Sequence, residues 1–248
     1  MHRILLLQAR DAGDPMLEHE LQCFVDVVGV ARERFEPLNM AAEDPNTWPK
    51  LAQYDAVMVG GSGEYSVVTG GFAWHRPMLD YVLESVEHEL PFFGSCFGFQ
   101  ALVQALGGKL VADPSMSEVG TFKVQLSEDG AADPLFGDLP GTFDAQFGHN
   151  DSAVELPQGV LRLASTERCA YQAIRLPGRP AWATQFHPEL NDQANMTRYV
   201  RYLVNYADRA MEEDEAWDVA RDMHRPSPHS NALLSRFVQA VDDHKLQL

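Results

Sequence analysis

Residues 91–100 read Pro91-Phe92-Phe93-Gly94-Ser95-Cys96-Phe97-Gly98-Phe99-Gln100, and the rest of the chain is best read outward from them. Pro91 to Gly94 is a short apolar run of the kind found in a strand covered on both faces. A helical pattern follows over 97–106, and Gly107-Gly108 stops it. Between the two stands Gly-Ser-Cys-Phe-Gly, which has the Gly-x-nucleophile-x-Gly form of a nucleophile elbow. Glycines on both sides permit a strand-to-helix turn too sharp for larger side chains. Such a turn lifts residue 96 above the carboxyl end of the strand. A thiol there also meets the positive end of the helix dipole, which favours the reactive thiolate. A lone cysteine is ordinarily a buried, inert residue. That reading holds for Cys23, inside a helical pattern, and for Cys169, near a strand start; the glycines and the strand–helix setting separate Cys96 from both.

Upstream, strand-like and helix-like segments alternate. Residues 3–8 are a continuous apolar run. Asp14-Pro15 then supplies a helix N-cap and a first-turn proline, and Met16, Leu17, Glu20, Leu21, Phe24, Val27 and Val28 keep helical spacing. Residues 33–38 form a second strand candidate, and a loop with Pro45, Trp48 and Pro49 follows. Asp55–Val59 is a third strand ending in Gly60-Gly61-Ser62-Gly63, and residues 74–89 are helical in pattern. Strands joined by helices imply a parallel sheet with helices on both faces. From about 109 to 187 the character changes. Val119–Leu126, Thr142–Phe147, Val160–Ala164, Ala170–Leu176 and Ala181–Phe186 look like strands linked by turns, and residues 192–207 return to helix. The remainder reads as two helices, Met211–Met223 and Ala232–His244, split by Arg225-Pro226-Ser227-Pro228. Residues 1–207 are thus expected to form the catalytic unit, and 208–248 a helical extension packed on it or offered to a partner.

The bulk numbers narrow the function. Across 248 residues, 19 Lys and Arg stand against 36 Asp and Glu, a formal charge of −17. That argues against a nucleic-acid binder, which draws on clustered positive charge. No stretch approaches the roughly 20 apolar residues that cross a bilayer. Leu5-Leu6-Leu7 is interrupted at once by Gln8-Ala9-Arg10-Asp11, so the start reads as a strand and not as a secretion signal. Three cysteines suggest reduced thiols and a cytoplasmic setting.

A cysteine nucleophile needs a base, and the base needs an orienting group. Among nine histidines, His187 lies in Gln185-Phe186-His187-Pro188-Glu189, closing the strand expected over Ala181–Phe186. This is where sites of open α/β sheets collect. Glu189, past a rigid proline, is placed to bond one ring nitrogen and leave the other for Cys96. Attack on an amide also needs donors for the oxyanion. The N–H of Phe97 is suited, and the turn at 60–63 offers a second, that of Gly61. The turn lacks the Lys-Ser/Thr ending of a phosphate-binding loop.

Taken together, the turn at 60–63, Gly94–Gln100 (GSCFGFQ) and Gln185–Glu189 (QFHPE) resemble the class I, triad-type glutamine amidotransferase family over residues 3–207. The resemblance implies a flavodoxin-like, mostly parallel open sheet with extra hairpin strands. It implies hydrolysis of the glutamine side-chain amide through a γ-glutamyl thioester, without metal or other cofactor. Cys96 is then the nucleophile, His187 the base and acid, and Glu189 its orienter, with Gly61 and Phe97 as the oxyanion hole. Gln100 and Gly63, with His149 and Asn150 of Phe147-Gly148-His149-Asn150-Asp151, match positions that hold the amino-acid end of glutamine. Ser62 replaces the usual proline of the turn, and Cys96 follows Gly61 by 35 positions, which suggests an insertion around 65–75. No synthetase domain is visible, so ammonia is expected to pass to a separate synthetase subunit. Two rivals stand beside this: a free-standing γ-glutamyl hydrolase, and a binding or regulatory module without chemistry.

Overall fold

The computed structural model describes residues 2–205 and 211–246. A nine-stranded sheet runs through the molecule. Its first half comprises β1 (Ile4–Ala9), β2 (Phe35–Asn39), β3 (Ala56–Ser62) and β4 (Phe92–Ser95), joined by β11 (Ala181–Thr184). These five strands lie in the order β2-β1-β3-β4-β11, all parallel. Four antiparallel strands continue the sheet: β10 (Ala173–Leu176), β9 (Leu161–Ser165), β6 (Glu118–Leu126) and β7 (Thr142–His149). This is the flavodoxin-like sheet with added hairpin strands that the sequence predicts.

Alternation along β1 sorts the core into two layers. Ile4 and Leu6 face Leu21 and Phe24 of α1 (Met16–Val28), while Leu5 and Leu7 face the layer of α2 (His75–Glu87) and α3 (Phe97–Ala105). All four β1 side chains have no solvent exposure, which is why that stretch reads as an uninterrupted apolar run. Two further helices, α5 (Asp192–Asn205) and α6 (Glu213–Met223), pack on each other through Val200, Leu203, Ala216 and Ala220. The last, α7 (Pro228–Asp242), lays Leu233, Leu234, Phe237, Val238 and Val241 into the same layer as α1. The C-terminal segment is therefore seated on the main core.

Differences from the sequence reading are local. A two-stranded sheet of β5 (Lys109–Ala112) and β8 (Asp151–Glu155) was not predicted, nor was the short α4 (Glu128–Ala132). Helix α7 starts at Pro228 instead of Ala232, because proline is well suited to a first helical turn. Helix α1 starts at Met16, one residue later than expected, with the Asp14 carboxylate accepting from the Met16 N–H at 2.9 Å. The expected insertion at 65–75 is an irregular segment in which Tyr65, Phe72 and Trp74 pack ring on ring, with centroids 4.2–5.1 Å apart. The expected boundary at 207/208 lies outside the described residues. Among the described residues no helix is long and apolar enough to cross a membrane.

Candidate active site

The carboxyl ends of β3, β4 and β11 lie side by side, and the three sequence motifs meet there. At the tip of β4, Cys96 adopts φ 50° and ψ −96°, a left-handed backbone that a non-glycine residue takes only when its surroundings force it. The forcing groups are visible. A Cβ on Gly94 would lie 2.7 Å from the Gly98 carbonyl, and one on Gly98 would lie 2.7 Å from Val59 Cβ. The elbow is thus pressed on itself and on β3. Two hydrogen bonds fix its ends: Cys96 N–H to Thr184 carbonyl at 2.8 Å, and Gln100 N–H to Cys96 carbonyl at 3.0 Å.

His187 sits three residues beyond β11, which ends at Thr184 and not at Phe186. The Thr184 hydroxyl donates to the Phe186 carbonyl (2.8 Å), and the His187 N–H donates to the Gln146 carbonyl (2.8 Å). The turn aims the Gln185 amide at Cys96 Sγ (3.6 Å). His187 Nδ1 bonds Glu189 Oε1 at 2.7 Å, and Ser95 Oγ donates to Glu189 Oε2 at 2.7 Å. With Nδ1 engaged, Nε2 is the nitrogen left for Cys96.

Both charges are buried, and each holds the other. Burial works to raise Glu189, but His187, Arg198 and the Ser95 hydroxyl hold it down to about 2. Burial works to lower His187, but Glu189 and the neighbouring Cys96 push it up to about 9. The ring is thereby poised as a protonated acid at neutral pH, facing the Cys96 sulfur. The other cysteines differ. Burial pushes Cys23 and Cys169 each up to about 11, so both stay as thiols.

The remaining predicted residues divide. The Gly61 N–H, expected as an oxyanion donor, donates to the buried carboxylate Glu20 Oε1 at 3.1 Å. A Cβ on Gly61 would stand 2.9 Å from His187 Cε1, so this position must be glycine for the imidazole to lie where it does. A cavity of about 220 Å³ opens against His187, with Gly63, Gly148 and Asn150 in its wall. Gln100 and His149 instead stand behind that wall. Gln100 donates to the Asp151 carbonyl (3.1 Å), and His149 bonds Glu118 (3.2 Å) and the Asp151 carbonyl (3.1 Å). Their side chains brace the 148–151 turn.

Glu118, His149 and Cys169 bring their donor atoms within 4.8 Å of one another, the one such cluster among the described residues. Internal partners serve it: Gln172 Nε2 donates to Glu118 (2.5 Å), and Cys169 Sγ faces the Met116 carbonyl (3.2 Å).

Sequence reasoning missed Arg198, Glu20 and Arg10. Arg198 bonds Glu189 Oε1 (3.4 Å) and Glu20 Oε1 (3.5 Å), and Arg10 also reaches Glu20 Oε1 (3.4 Å). The available signal was a glutamate on the apolar face of α1, between Leu17 and Leu21, where an unpaired charge would be costly.

The chain is similar to known proteins. The family profile described as glutamine amidotransferase class-I matches residues 21–205. Among curated relatives, the GMP synthase (glutamine-hydrolyzing) of Aliivibrio salmonicida is 37% identical over 124 residues, covering 50% of this chain and 23% of that protein. The like-named protein of Photobacterium profundum is 32% identical over 148 residues, covering 58% and 27%. The match therefore spans about a quarter of those relatives. Among solved structures, a glutamine amidotransferase from Thermotoga maritima superposes with TM-score 0.72 at 18% identity over 100% of both chains. One from Methylobacillus flagellatus gives 0.69 at 19% over 100% of this chain and 96% of that one. The chain belongs to the class-I glutamine amidotransferase family.

Proposed function

We propose that this member of the family hydrolyses the side-chain amide of L-glutamine and hands the ammonia to a separate synthetase subunit. The observation that carries this reading is the strained Cys96 elbow beside the buried His187–Glu189 pair. The Cys96 thiolate attacks Cδ of glutamine, and the carbonyl oxygen becomes an oxyanion. Phe97 N–H, at the start of α3, is one donor to it. Gly61, whose N–H is held by Glu20, clears the space in which the imidazole lies. His187 gives its proton to the departing nitrogen as the C–N bond breaks, leaving a γ-glutamyl thioester and ammonia. The ring then takes a proton from water as that water attacks the thioester, releasing glutamate and the thiolate. Glu189 holds the ring's orientation throughout. Gly63 and Asn150 face the substrate's amino-acid end, while Gln100 and His149 shape the turn that meets it. Residues 1–207 form the catalytic unit and 208–248 an extension seated upon it. The net charge of −17 speaks against nucleic acid as a partner of this chain, and a cytoplasmic setting suits three free thiols.

The cavity is lined by more than the residues facing glutamine, Tyr199 and Tyr202 of α5 among them, which favours a second reading, a free-standing hydrolase of γ-glutamyl amides with larger leaving groups. Treatment with a diazoketone analogue of glutamine, followed by mass spectrometry, tests both. Labelling of Cys96 suppressed by glutamine supports the amidotransferase. Labelling that glutamine leaves untouched favours the hydrolase, and an unlabelled Cys96 refutes both.

A further inference from the structure

We infer that Arg198 and Glu20 are positioning residues for the reaction, a buried guanidinium–carboxylate pair that holds the triad's Glu189 and Gly61, the glycine against the imidazole, from one point. The inference rests on the activity proposed above for its kinetic part and on geometry alone for its electrostatic part. Arg198 comes from α5. Its two terminal nitrogens separate two carboxylates, one on Glu189 Oε1 at 3.4 Å and one on Glu20 Oε1 at 3.5 Å. Both carboxylates are completely buried.

Glu20 gathers an unusual set of donors: Gly61 N–H (3.1 Å), Gln8 Nε2 (3.1 Å), Arg10 (3.4 Å) and Arg198. Space for it is made by Gly60, where a Cβ would lie 2.7 Å from the Glu20 carboxyl carbon. A buried ion pair of this kind is a poor source of stability, since apolar side chains of similar size commonly do as well. Its geometry has a different use. It couples the loop carrying Gly61 to the carboxylate that orients His187, so neither moves without the other. Preorganisation of this sort is worth about 100-fold in rate when a shift of about 1 Å is prevented.

The pair also bears on the charges at Glu189 and Cys96, through Arg198. Among the described residues, the charged or titratable groups around Arg198 include Glu20, His19 and Cys23 of α1, Glu189 and Cys96, and Arg10, Asp14, His187 and Arg201 line the same cavity. His19 is pushed down to about 4 by burial, Arg198 and Arg10, so it is neutral above that range. Cys23 is neutral below about 11. Removing Glu20's charge leaves excess positive charge near the Cys96–His187 couple, and removing Arg198's leaves excess negative charge.

The test is the pH dependence of Cys96 carbamidomethylation by iodoacetamide, followed on the Cys96 peptide, with glutamine turnover measured in parallel. Glu20→Gln should move the midpoint of thiol reactivity to lower pH and Arg198→Gln to higher pH, each by at least about 0.5 unit. The double variant should return close to the wild-type midpoint. Both single variants should lose about 10–100-fold in kcat, with KM within about threefold of wild type. Arg198→Lys should recover the midpoint and only part of kcat, because an ammonium does not fork between two carboxylates. Midpoints that stay fixed, or move the same way, overturn the inference. If Arg198→Gln does not fold, the isosteric Glu20→Gln decides alone by its acid-ward shift. If wild type does not turn glutamine over while the midpoints still split, the proposed activity falls and the electrostatic linkage stands.

Discussion

Replacing Gly98 by alanine sets two known effects against each other, and the structure decides between them. Gly98 lies in the first turn of α3 with ordinary helical backbone, where alanine is intrinsically favoured by about 1 kcal/mol. The added Cβ, however, would lie 2.7 Å from Val59 Cβ, 2.8 Å from the Val59 carbonyl oxygen and 3.1 Å from Val59 Cγ1. None of these is the end of a flexible side chain. Val59 is paired to Leu7 of β1 on one side and to Gly94 of β4 on the other, so it has nowhere to go. Overpacking typically costs about 1–3 kcal/mol, and two contacts this close belong at the upper end. The net expectation is a loss of about 2 kcal/mol, or a fall in Tm of about 4–8 °C for a chain of this size. Urea unfolding of wild type and Gly98→Ala at unchanged m-value measures it. Gly141→Ala is the control, since a Cβ there meets nothing within 4 Å and its backbone is unstrained. If Gly98→Ala proves as stable as Gly141→Ala, the claim that the elbow is wedged against β3 is wrong.

Three further expectations follow from the site and its surroundings. Glu189, ordinarily at 4.5 and held at about 2, lends stability above pH 4.5 that is lost as pH falls toward 2. His187, ordinarily at 6.5 and raised to about 9, lends stability below pH 6.5 that is lost as pH rises toward 9. Unfolding free energy should therefore be greatest between about pH 4.5 and 6.5 for this pair, and Glu189→Gln should flatten both flanks of the curve. With Cys23 and Cys169 each near 11, iodoacetamide at pH 8 should modify Cys96 and spare those two, as peptide mapping will read. The Asn231 amide donates to the carbonyls of Pro188 and Leu190, each at 2.8 Å. Asn231→Ala should cost about 1–3 kcal/mol in urea unfolding, and turnover should fall along with it.

What could be read in the sequence was what is local in the chain. The elbow needs only a strand, two glycines and a helix, all within residues 91–106, and each leaves its own mark. Cys96, His187 and Glu189 were legible because short motifs fix them. The end of β11 was not, because the Thr184 hydroxyl bond to the Phe186 carbonyl breaks the strand early without changing its apolar look. β5 and β8 escaped notice since four residues, Lys109–Ala112, carry no period and find their partner some forty positions away. Glu20 and Arg198 are 178 positions apart, and nothing in either neighbourhood names the other. Gln100 and His149 brace the 148–151 turn from behind, and the identity of a side chain does not tell which side of a turn it braces.

The Asn231 clasp has a consequence for how the enzyme comes into being. The loop bearing His187 and Glu189 is tied to the start of α7, and Gln146, whose carbonyl receives the His187 N–H, is tied to Ser227 and Arg225. On a translating ribosome, all three side chains of the proposed triad emerge well before residues 225–242 do. The nucleophile is then already made while its acid–base partner lacks its outer support. With the proposed activity, a nascent chain would remain silent toward glutamine until its final helix docks, which would tie the onset of amide cleavage to the completion of synthesis.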